Sequence, residues 1–347
     1  MWATRRLARC RASASPWLHA PASAPRLVTL SSHRNQSTLP PFADQVLRGS
    51  GQVLFLNHPG CGGMLLGALG YGDPWLGVLA PLGTASSTAT ARALDVDSDA
   101  ISAGLMGYNG CLVGCAFSVF LGQPAWSPAS AAATALGAAA TVPLAVALKP
   151  LCGSVPQFTL AFNIATLAVL GTVVRPLADA APADPTAVLS TTEWLCAPLV
   201  GISQIFVVND AGAGAMTLGA IALYSPACAA HTLLGSCTGI ATGLACGAPP
   251  SEIGMGLWGF NPALTALAVS VFFVPGPASY ALATGGAAAT ALCFAAAKGA
   301  MASAFAVPAL TLPFCTVASA CHLLPHLLPN VFVHAAAPHS PERNTPL

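Results

Sequence analysis

Residues 101–109 read ISAGLMGYN, and residues 253–261 read IGMGLWGFN. The second stretch begins 152 positions after the first. The same displacement relates QVLFLN at 52–57 to QIFVVN at 204–209, and VPQFTLAF at 155–162 to VPALTLPF at 307–314. Around these anchors Gly60 and Gly212, Gly62 and Gly214, Met64 and Met216, Pro74 and Pro226, and Gly83 and Gly235 keep the register. A constant, ungapped offset is the mark of a duplicated unit. It predicts two matching halves joined by a connector.

Composition sets the solvent of those halves. Only 7% of the 347 residues are Asp, Glu, Lys or Arg, against roughly 25% in ordinary soluble domains. Hydrophobic residues make up 55%, and the mean hydropathy is +0.69. From Gly51 to Pro338 the only cations are Arg92, Lys149, Arg175 and Lys298. A soluble surface cannot be built from so few charges, so the lipid bilayer is the expected partner. The net charge of +1 and the absence of a basic stripe beyond the N-terminal arm speak against nucleic acid. Twelve cysteines are scattered without a C-x-x-C pair, and Cys111 and Cys115 share one helix face. They read as small apolar residues that let helices approach, and no metal or cofactor is expected.

A spanning helix takes about 20 residues. Apolar blocks fall near 63–92, 100–121, 129–148, 155–175, 195–223, 226–247, 253–274, 279–300 and 308–328. Blocks 63–92 and 195–223 exceed one plain span, which predicts broken or half-length helices there. The resulting division is a basic arm at 1–43, a first membrane repeat at 44–175, a connector at 176–194, a second repeat at 195–328 and a polar tail at 329–347. The arm carries Arg5, Arg6, Arg9, Arg11, Arg26 and Arg34, with no acid before Asp44. It reads either as an organellar transit peptide or as a cytosolic arm obeying the positive-inside rule.

Repeat units in membranes place a solute site at their interface, near midplane. Titratable residues sit mainly at block edges, as Lys149 and Arg92 do, or beside a proline, as Asp73 does. Asp210 is the best candidate for an ion-coupled carrier, but its counterpart His58 does not match it; His58 and His231 read as packed or interfacial residues. No paired carboxylates or G-x-S-x-G motif stand in the apolar blocks, so an enzyme is not expected. The matched polar residues are neutral: Gln52/Gln204, Asn57/Asn209, Asn109/Asn261 and Thr159/Thr311. The asparagines read as interhelical glue. The glutamines and threonines read as pore residues, because Pro156 and Pro308 break the helix ahead of each threonine and free backbone carbonyls, which are tolerated at depth where they line a cavity. Oxygens beside flat rings suit a small, neutral, planar solute rich in N–H donors.

At these residues the chain resembles the urea transporter family. The doubled G-L-x-G-[YF]-N at 104–109 and 256–261 carries the likeness, with QVLF and Asn57 and the P-x-x-T-x-x-F runs at 156–162 and 308–314; it spans about residues 45–328. The resemblance implies an all-α polytopic membrane protein with two inverted repeats, each of about five transmembrane helices and a half-membrane helix, and a pore at their interface. It implies a homotrimer in the plasma membrane, or an organellar membrane if the Arg-rich arm is an import signal. It implies passive, channel-like movement of urea; an ion-coupled carrier of a small amide or ammonium is the alternative. By motif, Gln52 and Gln204 resemble the residues holding urea at the two outer sites. Phe55, Tyr108 and Phe260 resemble the slot around the flat solute, Leu112 and Leu264 its wall, and Thr159 and Thr311 the narrow centre. The halves differ at Val207, which stands where Phe55 is matched, at Ala161 against Pro313, and in the extra hydroxyl of Tyr108.

Overall fold

The computed structural model describes residues 38–121, 127–178, 184 and 186–346. Most of the basic arm, including Cys10, lies outside the described residues, as does the stretch 122–126. Among the described residues, seven α-helices build each half. The first half holds α1 (Pro41–Gly51), α2 (Pro59–Gly72), α3 (Leu76–Ala93), α4 (Ser98–Ser102), α5 (Tyr108–Phe120), α6 (Pro128–Cys152) and α7 (Leu160–Val169). The second holds α8 (Thr191–Ser203), α9 (Ala211–Tyr224), α10 (Pro226–Ala245), α11 (Pro250–Gly254), α12 (Phe260–Phe272), α13 (Pro277–Phe305) and α14 (Leu312–Leu327). Three pairs, α2 with α9, α4 with α11 and α5 with α12, match at both ends with the displacement of 152. The duplication is therefore structural as well as textual, and the chain is an all-α polytopic membrane protein.

Local chemistry explains where the helices start and stop. His58 Nδ1 accepts the Cys61 amide at 3.3 Å to cap α2, and Asp210 Oδ1 accepts the Ala213 amide at 2.7 Å to cap α9. The unmatched pair in the sequence thus does one job, satisfying an orphan N–H at a helix start. Ser127 and Ser130 form a capping box on α6, and Ser190 and Glu193 one on α8. Both long apolar blocks are broken as expected. Block 63–92 divides between α2 and α3 at Asp73-Pro74, and block 195–223 divides between α8 and α9. Short 3-10 turns, Gln52–Leu54 and Gln204–Phe206, extend α1 and α8. The chain then bends by 73° into α2 and by 77° into α9, as in a broken span or a re-entrant loop. Helices α6 and α13 are each long and apolar enough to cross a bilayer outright.

Two boundaries move. Helix α1 begins at Pro41, inside the segment read as an arm, and α8 begins at Thr191, inside the connector. Helix α1 falls in no apolar block because it carries Asp44 and Arg48. These pair at 2.7 Å, and Arg48 also donates to Asn57 Oδ1 at 3.0 Å.

With no hydrophobic drive between helices in lipid, close backbone approach supplies the packing. A Cβ on Gly83 of α3 would lie 2.1 Å from Gly110 O of α5, and one on Gly114 would lie 2.1 Å from Leu79 O. In the second half a Cβ on Gly235 would lie 2.6 Å from Pro262 O. The halves meet along α2 and α9, with the end of one on the start of the other. There a Cβ on Gly72 would fall 2.5 Å from Val208 Cγ1, and one on Gly212 would fall 2.8 Å from Tyr71 Cε1.

The residues read as a polar tail fold back as a strap over the ends of α9, α12 and α14. Asn344 Nδ2 donates to the carbonyls of Ser270, Val271 and Phe273 at 3.2, 2.8 and 3.1 Å, covering the last turn of α12. The Glu342 carboxylate accepts from Ser225 Oγ at 2.7 Å and the Ala227 amide at 2.9 Å at the start of α10. Burial works against its charge, but these bonds outweigh it and hold its pKa at about 2. His339 stacks on Tyr224 at 4.7 Å, and His334 stacks on His322 at 4.0 Å.

Gly256 combines a left-handed φ of +70° with a Cβ position 2.6 Å from the Gly201 amide nitrogen. Gly256→Ala is therefore expected to cost at least about 2 kcal/mol and to lower the thermal midpoint in detergent. Gly285→Ala, which meets nothing within 4 Å, leaves it unchanged. Equal midpoints for the two variants would contradict this packing.

Candidate functional site

Two unwound stretches meet where the halves face each other. Thr159 precedes α7 and Thr311 precedes α14. Their hydroxyl oxygens lie 2.7 Å apart, a direct hydrogen bond across the repeat interface. Both side chains are buried. Asn163, one turn into α7, donates to Thr311 Oγ1 at 2.9 Å and accepts the Thr311 amide at 3.2 Å. Its counterpart is Cys315, whose Sγ lies 3.2 Å from Thr159 Oγ1. So the matched threonines are held by unmatched neighbours: an amide on one side, a thiol on the other. The sequence reading missed Asn163 and Cys315. The signal was present, since both sit four residues after a threonine already singled out.

The residue before each threonine is left-handed, with φ of 47° at Phe158 and 48° at Leu310. Such a turn exposes carbonyls that need partners in a dry interior. Tyr108 Oη donates to Phe158 O at 2.7 Å, and Asn261 Nδ2 donates to Leu310 O at 3.0 Å. Asn109 Oδ1 accepts the Phe162 amide at 3.1 Å, and Asn261 Oδ1 accepts the Phe314 amide at 3.2 Å. The extra hydroxyl of Tyr108 thus serves the backbone. Of the four asparagines read as glue, Asn109 and Asn261 are buried and bind the break before α7 and α14, whereas Asn209 is exposed.

The two bends carry the outer residues. Gln52 and Gln204 open the 3-10 turns, and Phe55 and Val207 end them with φ of 60° and 62°. A β-branched residue in that region is an outlier, and holding it there costs of order 1–3 kcal/mol. Gln52 Nε2 donates to Ala103 O at 2.8 Å. Among the described residues the structure gives no side-chain bond to Gln204, which is half-buried.

The Phe55 ring lies 6.4 Å from Phe158 and 5.5 Å from Phe272, and Phe158 lies 5.0 Å from Phe314. Phe260 at the start of α12 packs on Phe294 at 5.9 Å. Leu112 and Leu264 are buried in α5 and α12.

Titratable residues inside the second half are committed elsewhere. Glu252 is buried and takes Lys298 Nζ at 2.6 Å and the Trp258 indole N–H at 2.9 Å. Asp210 caps α9. His231 stacks obliquely on Tyr280 and bonds to Ala227 O. His322 and His326 do have His-x-x-x-His spacing, which the reading of the sequence overlooks. His322 faces His334 instead, and no group of three metal-ligating residues occurs among the described residues.

The fold and the site define a polytopic helical membrane protein of two like halves, with a neutral, buried hydrogen-bonded contact where they meet. A family model described as "Urea transporter" matches residues 43–326. Urea transporter 1 of Ovis aries is 35% identical over 249 residues, covering 67% of this chain and 64% of the relative. Urea transporter 1 of Capra hircus matches to the same extent, and that of Rattus norvegicus is 35% identical over 252 residues. The chain belongs to the urea transporter family. It spans less than two thirds of the length of these relatives.

Asn261→Ala strips partners from two buried backbone groups, each worth about 1–3 kcal/mol when left unpaired. The variant is expected to unfold at a clearly lower temperature in detergent, while Asn209→Ala matches the parent. Indistinguishable unfolding of Asn261→Ala would show that these backbone groups are otherwise satisfied.

Proposed function

We propose that the chain conducts urea passively across a membrane. The observation that carries this reading is the Thr159–Thr311 hydroxyl pair at 2.7 Å, buried between two like halves and ringed by neutral groups. Gln52 and Gln204 supply amide oxygens on the matched bends to either side of it, and Phe55, Tyr108 and Phe260 supply rings. Urea is flat and carries four N–H donors. It can accept from one hydroxyl and donate to the other as their mutual bond is exchanged, at a net cost near the roughly 1 kcal/mol of one hydrogen bond. A row of such near-neutral exchanges lets solute enter and leave without deep trapping. A hydrated ion would lose far more.

The relatives named Urea transporter 1 support the same substrate. An ion-coupled carrier of a small amide or ammonium needs a free titratable group on the path. Asp210 and Glu252 are instead engaged in a helix cap and an ion pair. Membership of the urea transporter family favours transport over catalysis.

The two halves are proposed to be inverted relative to each other. The antiparallel contact of α2 with α9 supports this, as does the approach of the N-termini of α7 and α14 at the threonines. Family likeness supports a homotrimer with one pore per subunit, which the mass of the solubilised particle tests. It also favours the plasma membrane, against an organellar membrane reached through the Arg-rich arm. A reporter fused to residues 1–43 separates the two.

Stopped-flow shrinkage of proteoliposomes tests transport. Urea permeability should exceed that of empty vesicles without a pH or sodium gradient. Gln52→Ala and Thr311→Val should each reduce it by about fivefold or more, the equivalent of losing one hydrogen bond. Flux that needs an ion gradient would overturn the passive reading, and full flux in both variants would overturn the site.

A further inference from the structure

The two ends of the pathway are unequal in a way that the repeat register exposes. Around the first bend stand Phe55, Phe158 and Phe272; the residues matched to them are Val207, Leu310 and Phe120. Three rings on one side are answered by one on the other. The three are mutually near-perpendicular: 83° between Phe55 and Phe158, 82° between Phe55 and Phe272, and 89° between Phe158 and Phe272. Phe158 is buried, while Phe55 and Phe272 are each partly exposed. Phe272 comes from the second half, as the last residue of α12, and closes a corner whose other rings come from the first. In such a corner the edge of one ring rests on the face of the next, so the Phe55 ring packs against both Phe158 and Phe272.

Phe272 is itself fixed from outside the repeats. Its carbonyl accepts the Ala335 amide at 2.9 Å, the Val274 amide donates to Val333 O at 2.9 Å, and Asn344 gathers the carbonyls of Ser270, Val271 and Phe273. His322, stacked on His334 of the strap, also meets the Phe272 ring at 5.8 Å. The strap thus grips the end of α12 at the residue whose ring packs on Phe55.

We propose that Phe272 is a positioning residue that sets the size selectivity of the Phe55 slot, and that the C-terminal strap, through Asn344, holds it in register. The transport arm of this inference rests on the reading of the chain as a urea channel. A solute widened in its own plane by N-methyl groups would feel a shift of the Phe55 ring; urea itself would feel it less. The second bend, with Val207 and Leu310, discriminates less between the two.

The test compares permeability to urea and to 1,3-dimethylurea in proteoliposomes of the full chain. Phe272→Ala should raise the dimethylurea-to-urea ratio about tenfold, the low end of what a misfitted apolar contact discriminates. Phe272→Leu should give a smaller rise, and Phe120→Ala at the matched position should leave the ratio near that of the parent. Asn344→Ala should shift the ratio in the same direction as Phe272→Ala and speed amide exchange across 270–274. A merely structural defect lowers both fluxes in proportion and leaves the ratio alone; that result in both Phe272 variants would overturn the proposal. Unchanged exchange at 270–274 in Asn344→Ala would overturn the role of the strap. A parent protein that passes neither solute would refute the urea reading, and the exchange result then still decides the role of the strap independently.

Discussion

Backbone that leaves a helix at membrane depth finds no water to bond, and each unsatisfied group there costs several kcal/mol. This constraint organises the protein. The chain unwinds ahead of α7 and α14 and at the two bends, and side chains from neighbouring helices answer the freed groups. Tyr108, Asn109 and Asn261 bind the backbone around the left-handed turns at Phe158 and Leu310, and Asn163 takes the Thr311 amide. His58 and Asp210 close the starts of α2 and α9. Because these breaks are held from outside their own helices, the two threonines stand free of helical geometry and can meet hydroxyl to hydroxyl.

The site follows from how that debt is settled. The buried asparagines Asn109, Asn163 and Asn261 are committed to holding the breaks. Thr159 and Thr311 bond to each other, and under the proposed function it is this bond that a passing solute would exchange. Glycine makes the frame possible. At Gly104 and Gly256 the backbone is left-handed and pressed against the last turn of α1 (Arg48, Gly49) or α8 (Val200, Gly201), so the loop leading into Tyr108 or Phe260 sits directly on α1 or α8.

Much of this was legible from one number, the displacement of 152. It singled out the matched glutamines and both threonines, because a repeat preserves the positions at which geometry is special, while block length alone pointed to the breaks within 63–92 and 195–223. What it hid were features in which the halves differ. Helix α1 escaped because Asp44 and Arg48 lower its hydropathy, although its matched helix α8 was visible. Asn163 and Cys315 escaped because a comparison of halves favours identity, and these two differ while sharing one site. Phe272 and the strap escaped for a different reason. The residues at 329–347 look polar and unremarkable, and their role depends on Asn344 reaching three carbonyls that no pattern in the sequence announces. The buried Glu252 and the half-buried Lys298 form an ion pair with no equivalent in the first half, where Ala100 and Val146 occupy the matched positions. The halves have thus kept a common frame and diverged in what lines it.

The central claim is that solute passes between the halves at Thr159 and Thr311. A high-resolution cryo-electron microscopy structure of the protein in saturating urea tests it most directly. The account predicts planar density beside the two hydroxyls, with further density at the Gln52 and Gln204 bends, and a Thr159–Thr311 contact lengthened from 2.7 Å where urea intervenes. Urea ordered only elsewhere, with the hydroxyl pair intact and no density on either side of it, would contradict the claim.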